Sequence, residues 1–556
     1  MATVAGLADE LLDALLDAYP LWATLLGFRE RDDRLTDYSE AGDEAVRAQV
    51  SAIAARALDA DVFGPEDRVT GAVVLQQAEA ALDRVASRAV EYTVTDYGTA
   101  AVVNLLWGLS MVGIAEQAHA DGYLVRLGRI PQGVGAIADR HRAGIAAGRL
   151  PVRHLVDAAI SHLDRYLDNR DNDPLRRPRP PADGRMNDTA FHAERDRLLD
   201  EVVRPAIAGY RKVLAAEVLP HGRSADRAGL CWLPGGEATY ARLVRLHTTT
   251  DRSPQDLHRT GLEIIAGLAE EYAEVGSTAF GTHDVGEIFT RLRTDPALRW
   301  KDADDLLAAA RTAISRAEEI APRWFGRMPG QRCAVEAVPA DEAPGAPGAY
   351  YLEPAMDGSR PGTYFANTHH VQERYRQTSE AGAFHEAVPG HHLQLTIAQQ
   401  LTELPMLRRL AQITAYEEGW GLYAERLADE MGLYSDAVAR LGMLDMDSIR
   451  AARLVVDTGL HAEGWSRQQA VDYMRTNTAL TPAQVDSEVD RYIADPAQAL
   501  AYMMGRLEIQ RIRAQAERAL GDRFDIRSFH DTVLGNGPLP LGVLAQVVQT
   551  WIDEQR

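Results

Sequence analysis

The stretch Ala383-Phe384-His385-Glu386-Ala387-Val388-Pro389-Gly390-His391-His392-Leu393-Gln394 decides how this chain is read. Neutral imidazole is the commonest zinc-binding side chain, and a neighbouring carboxylate can serve as general base on a metal-bound water. A metallopeptidase helix usually sets two histidines four residues apart on one face. Here that second position is Pro389. On an unbroken helix His391 would point about 240° away from His385, and His392 would return to its face about 10.5 Å further along the axis. Neither could then share one zinc with His385 through bonds of about 2.0–2.1 Å. The spacing therefore predicts a break. Pro389 withholds a backbone donor and clashes with the carbonyl of residue 385, and Gly390 tolerates unusual backbone. A looped-out or π-type bulge there would swing His391 back beside His385. From spacing alone, His391 and His392 remain alternatives.

Downstream lies Ala415-Tyr416-Glu417-Glu418-Gly419-Trp420-Gly421-Leu422-Tyr423-Ala424-Glu425. A second helix supplying one glutamate would complete a two-His, one-Glu site with an open position for water. Glu417 and Glu418 are adjacent, so only one can face the metal. Glu425 shares the face of Glu418 two turns on and reads as a partner that orients a ligand. Trp420 reads as core.

Outward from these segments, helical periodicity dominates. Leu7, Leu11, Leu12, Leu15 and Leu16 share one face of a first helix. Residues 42–60, 65–92, 98–128, 130–147, 152–170, 188–218, 238–250 and 254–276 read the same way. The run from Pro174 to Pro181 breaks helix and reads as an exposed loop or lobe boundary. Short β-rich runs at Cys333–Val338, Ala349–Leu352 and Gly362–Ala366 predict a sheet of three or four strands. The expected fold is mostly α with a small β-sheet (α+β). A 556-residue chain exceeds the usual single-core limit of about 250–300 residues, so two lobes are expected. Residues 1–330 would form a helical lobe and 331–556 a lobe carrying the sheet and the metal.

Composition narrows the function. A net charge of −22 repels nucleic acid and anionic lipid. No run of 18 or more apolar residues predicts a membrane helix. The acidic amphipathic N-terminal segment lacks the basic region of a signal peptide. Two isolated cysteines, Cys231 and Cys333, fit a reducing compartment. These features together predict a cytoplasmic protein.

HEAVPGHHLQ followed by EEGWGLYAE resembles the family called domain of unknown function 885 (DUF 885), of the zincin-like metallopeptidase group, whose relatives include thimet oligopeptidase and dipeptidyl peptidase III. The likeness extends to PLWATLLGFRERDDRLTDYS at 20–39, LPGGEATYARLVRLHTTTDRSPQDLHRTGL at 233–262, GTYFANT at 362–368, ARLVVDTGLHAEGWS at 452–466, AYMMGRLEIQRIR at 501–513 and FHDTVLGNGPLPLGVL at 529–544. Gly421 departs from the family's E-G-W-A-L-Y run. The resemblance implies a two-lobed zincin-like metallohydrolase with a deep central cleft. It implies one zinc held by His385, His391 and Glu418, with Glu386 as general base, and hydrolysis of short peptides. The histidine after Pro-Gly is the recurrent one, which favours His391.

For that reaction Tyr502 is the first candidate donor to the developing oxyanion and His461 the second. Arg506, four residues after Tyr502 and on its helical face, is a candidate for a substrate carboxylate. Gly362–Asn367 is expected at the sheet edge over the metal, where Tyr364 and Asn367 would contact an extended substrate. Arg453, Asp457 and His258 read as members of polar networks, and His369 and His370 as surface residues. The rival activity is that of a zinc amidase acting on a small metabolite. A catalytically silent metal- or peptide-binding protein is the rival from another class.

Overall fold

In the computed structural model, which describes residues 3–181, 188–340, 343, 347–356, 358 and 360–556, the five leucines of the first segment are buried along helix Val4–Ala18. Thr3 caps that helix by accepting the Gly6 N–H at 3.1 Å. The molecule is mostly helical with one small sheet. No helix among the described residues is long and apolar enough to cross a membrane.

Two local expectations give way to packing. Pro131 lies inside a continuous helix, Gln117–Ala146, where a boundary was expected. Leu127, Ile130 and Val134 flank it in a buried cluster, and that burial outweighs the lost hydrogen bond. The Pro174–Pro181 stretch is not a solvated loop. Leu175 is fully buried, and its carbonyl accepts the Tyr123 hydroxyl at 2.7 Å.

The sheet has three strands, β1 (Ala334–Ala337), β2 (Ala349–Leu352) and β3 (Thr363–Ala366), in the order β1-β3-β2. β3 pairs parallel with β1 and antiparallel with β2. The 362–367 segment is therefore the centre of the sheet, not its edge. Its main chain is already paired on both sides and is not free to add a substrate strand.

Position 330 is not a boundary between cores. One buried cluster joins Leu257, Tyr272 and Ile288 to Leu441, Leu454 and Leu500. Another joins Leu7, Leu11 and Leu15 to Leu407 and Leu410. Helix Pro254–Phe280 packs along helix Ala437–His461 and ties the two halves of the sequence together.

Helices Thr414–Glu430 and Ala501–Leu520 cross at two glycines. A Cβ at Gly419 would sit 2.3 Å from the Gly505 Cα, and one at Gly505 would sit 1.7 Å from the Ala415 carbonyl oxygen. The backbones touch, which fixes Glu418 and Tyr502, the neighbouring residues of the site, relative to each other. We expect Gly505→Ala to melt well below wild type, since overpacking costs about 1–3 kcal/mol or more. Gly267→Ala, on an open helix face, should melt at or above wild type. Equal melting of the two variants would remove the glycine crossing as a constraint.

Candidate metal centre

Helix Ser379–Glu386 ends at the acid of the histidine–glutamate pair, and helix His391–Gln400 begins three residues after Val388. Between them the chain turns through a cis Val388–Pro389 peptide. A Cβ at Gly390 would lie 1.8 Å from the His385 carbonyl oxygen and 2.5 Å from that of Phe384, so only glycine lets the chain turn back so tightly. A hydrogen bond of π-type spacing, His392 N–H to the Ala387 carbonyl at 3.1 Å, spans the turn. The two histidines thus sit on two short helices, and a bulge within one long helix is not what forms. The Trp420 indole N–H donates to the Pro389 carbonyl at 2.9 Å and fastens the turn to helix Thr414–Glu430.

The turn brings the His391 ring to 4.8 Å from the His385 ring, centroid to centroid. His392 points elsewhere. Its Nδ1 accepts the Tyr351 hydroxyl at 2.9 Å and its Nε2–H donates to the Gln331 carbonyl at 3.0 Å. Both of its nitrogens are occupied away from the cluster. Among the described residues, His385, His391 and Glu418 are the one group of three potential ligands whose donor atoms all lie within 4.8 Å of one another.

Glu418 Oε2 lies 3.4 Å from His385 Nε2 and 3.5 Å from His391 Nε2. These separations are long for charge-assisted hydrogen bonds. They match two edges of a zinc tetrahedron, because bonds of about 2.0–2.1 Å place ligand atoms about 3.3 Å apart. The far nitrogens are held as ligating histidines require. His385 Nδ1–H donates to Glu425 Oε1 at 2.8 Å, and His391 Nδ1 faces Gln394 Oε1 at 3.5 Å. The donor set therefore fits a zinc ion.

Glu418, Gly421 and Glu425 line one face of helix Thr414–Glu430. A Cβ at Gly421 would come within 2.6–2.9 Å of the His385 ring, so the departure at that position makes room for the imidazole. Burial pulls His385 down, but hydrogen bonds to Glu418 and Glu425 outweigh it and hold the imidazole up at about 9. His391 is raised too, burial again being outweighed by Glu418. Glu418 is held well below the usual carboxylate range despite its burial, because both imidazoles bond to it. Glu386 is pushed up by burial, with His385 and His391 pulling the other way. Glu417 faces away from the cluster. Its carboxylate accepts the Ile413 N–H at 3.4 Å, and burial raises it to about 7.

The other candidates divide. Tyr502 stands beside the cluster, its ring 6.3 Å from that of His385 and nearly parallel to it. Burial and the Glu418 charge raise its hydroxyl above the ordinary value. Tyr364 is buried on β3, near enough to Glu386 for that charge to act on it.

Three residues leave the site. Both nitrogens of His461 are consumed, Nδ1 accepting the Leu230 N–H at 3.1 Å and Nε2–H donating to the Tyr492 carbonyl at 2.9 Å. It is a strut and has no proton to offer an oxyanion. Arg506 is bound to Asp447 and to the Met503 sulfur, and only 5% of it is exposed. Asn367 is wholly buried, its amide donating to the Ala343 carbonyl at 2.7 Å and its oxygen accepting the His369 N–H at 3.0 Å. It holds a loop.

Fold and site together define a mostly helical protein with a cluster of two histidines and one glutamate, His385 buried and His391 and Glu418 half-buried. The family model described as "Bacterial protein of unknown function (DUF885)" matches residues 20–548, and the chain belongs to this family. It is similar over its full length to a solved structure from Colwellia psychrerythraea, described as a candidate lipoprotein. The two are 28% identical, with a TM-score of 0.91 and 100% of each chain covered. A second solved structure, a candidate lipoprotein of unknown function from Shewanella oneidensis, shares the fold at a TM-score of 0.77. It is 19% identical, with 99% of this chain and 100% of that one covered. No curated protein matches the chain.

A zinc ion taken up here would have to displace the proton that the carboxylates hold on His385. Zinc affinity should therefore rise with pH up to about 9 and flatten above, since the folded-state imidazole is neutral only beyond that value. Chelator competition at several pH values measures this, and a flat profile from pH 6.5 to 9 would refute it. Glu425→Gln should weaken zinc binding about 10–100-fold.

Proposed function

We propose that this protein is a zinc-dependent hydrolase that cleaves amide bonds in short peptides, with the zinc held by His385, His391 and Glu418. The observation that carries the reading is the pair of 3.4 and 3.5 Å separations converging on Glu418 Oε2, with Glu386 adjacent in sequence to the first histidine. The likeness of the H-E-x-x-P-G-H and E-E-G-W segments to zincin-like metallopeptidases supports it at the level of pattern.

When bound, zinc supplies Lewis acidity that polarises a carbonyl and brings the pKa of water toward about 7. Glu386 accepts the proton of the attacking water on its carboxylate and delivers it to the leaving amine nitrogen. Its burial favours this exchange, because a carboxyl raised above its usual range gives the proton up less readily to bulk solvent. Tyr502 donates its hydroxyl to the carbonyl oxygen as negative charge builds there. Glu425 keeps the His385 ring in the tautomer that presents Nε2.

Purified without added metal, wild type should carry about one zinc per chain. His391→Ala should lose it, and His392→Ala should keep it. On a panel of dipeptides, blocked peptides and simple amides, Glu386→Gln should retain zinc and lose about 10²–10⁴-fold in turnover. Tyr502→Phe should retain zinc and lose about 10²–10³-fold in kcat. Cleavage of simple amides but no peptide would favour the metabolite amidase. Zinc binding with no hydrolysis at all would favour the silent binding protein. A wild type that takes up no zinc on repletion would sink the metal reading.

A further inference from the structure

Helix Ala437–His461 is buried along nearly its whole length, yet it carries Asp447, Arg450, Arg453, Asp457 and His461. Buried charges require partners. Asp447 has Arg426 and Arg506. Asp457 has the Tyr240 hydroxyl at 2.6 Å and the Ala497 N–H at 3.1 Å. Arg453 is different. Its Nη2 donates to Glu488 Oε2 at 2.8 Å and its Nε to the Tyr492 hydroxyl at 3.0 Å, while its Nη1 is buried with no acceptor. The side chain is only 7% exposed.

That guanidinium lies over the ring of Tyr502, its Cζ 4.7 Å from the ring centroid. The same ring is 6.3 Å from that of His385. Arg450 also lies over it, at 5.7 Å. Arg491, bonded to Gln498 at 2.9 Å, adds a third positive charge close enough to act on Tyr502. Against these, Glu488 is the acid shared by Arg453 and Arg491, and Glu425 lies 3.5 Å from Arg450. Asp495 acts on the same region through Arg491. The Tyr502 ring thus neighbours both a candidate ligand histidine and an arginine that has a terminal nitrogen uncommitted.

We propose that Arg453 binds the terminal carboxylate of a short peptide whose scissile carbonyl lies at the His385–His391–Glu418 cluster. The substrate class is then peptides with a free C-terminus one or two residues beyond the cleaved bond, released as a free amino acid or dipeptide. An extended residue spans about 3.3–3.6 Å, so one or two residues beyond the cleaved bond reach past a single side-chain ring. Glu488 and Tyr492 fix the guanidinium through Nη2 and Nε, which leaves Nη1 to donate to one carboxylate oxygen. Arg506, committed to Asp447, cannot fill this role. The proposal rests on the hydrolase reading for its substrate, but the binding of the carboxylate does not require turnover.

The test uses the full chain and two readouts. In the first, N-acetylated amino acids with small, aromatic and acidic side chains, and their amides, are titrated calorimetrically into metal-free protein, where no zinc can capture the carboxylate. We expect at least one acid to bind tenfold or more tighter than its amide. Arg453→Gln should abolish the difference, and Arg453→Lys should restore part of it. Equal binding of every acid and its amide by wild type overturns the proposal without reference to any variant, so a misfolded variant cannot protect it. In the second, zinc-loaded wild type should cleave free-acid peptides at least 100-fold better in kcat/KM than their C-terminal amides. Equal cleavage of both overturns the Arg453 role and leaves the hydrolase standing. Absence of all cleavage, with the tenfold binding difference intact, overturns the hydrolase and leaves the carboxylate site standing.

Discussion

The site depends on one helical face, in which Glu418 and Glu425 stand two turns apart with Gly421 between them and the His385 imidazole seated in the gap. Each part of that face has a separate physical task. Glu425 is entirely buried and has His385 and Arg450 against it, as a buried acid requires. Glu418 is partly exposed and presents one oxygen to both histidines. Gly421 supplies room rather than contact. The three carboxylates Glu386, Glu418 and Glu425 face the two imidazoles and the Arg450 guanidinium.

The scaffold holds this face in register through backbone contacts more than through side chains. The Gly419–Gly505 crossing sets helix Thr414–Glu430 against helix Ala501–Leu520, and the Trp420–Pro389 hydrogen bond sets it against the turn that delivers His391. Two of the three candidate ligands lie beside these fixed points in sequence. A catalytic constellation has to be held to about half an ångström, and backbone-to-backbone contact leaves little freedom for drift.

The sequence made the helices and the small sheet legible because periodicity and turn residues report on backbone conformation directly. The need for a break at Pro389-Gly390 followed from covalent geometry alone. Direction was harder to read. Arg506 and Tyr502 share a face four residues apart, yet a long arginine can lean away from its neighbour, and Arg506 leans to Asp447. His461 had the right chemistry, but both of its nitrogens are used by main chain 31 and 231 residues distant. Pairing order misled in the same way at β3. Strand propensity marks a strand, but whether it is central depends on partners that the local sequence does not contain.

The polar groups inside helix Ala437–His461 sort by whether they are satisfied, and that sorting separates scaffold from site. Asp447 and Asp457 bind groups on other helices, and His461 spends both nitrogens on main chain. Removing any of these would leave a buried group unpaired, which is reason enough for their presence. Arg450 and Arg453 each retain a buried N–H without an acceptor, and Glu425, beside Arg450, retains an unbonded oxygen. Such atoms occur elsewhere too, on Arg408 and Arg409 for example. Here three of them belong to residues that touch either Tyr502 or His385. A fold that satisfies the polar groups on both sides of Arg450 and Arg453, and leaves polar atoms open on these two beside Tyr502, is poised to bind something polar there.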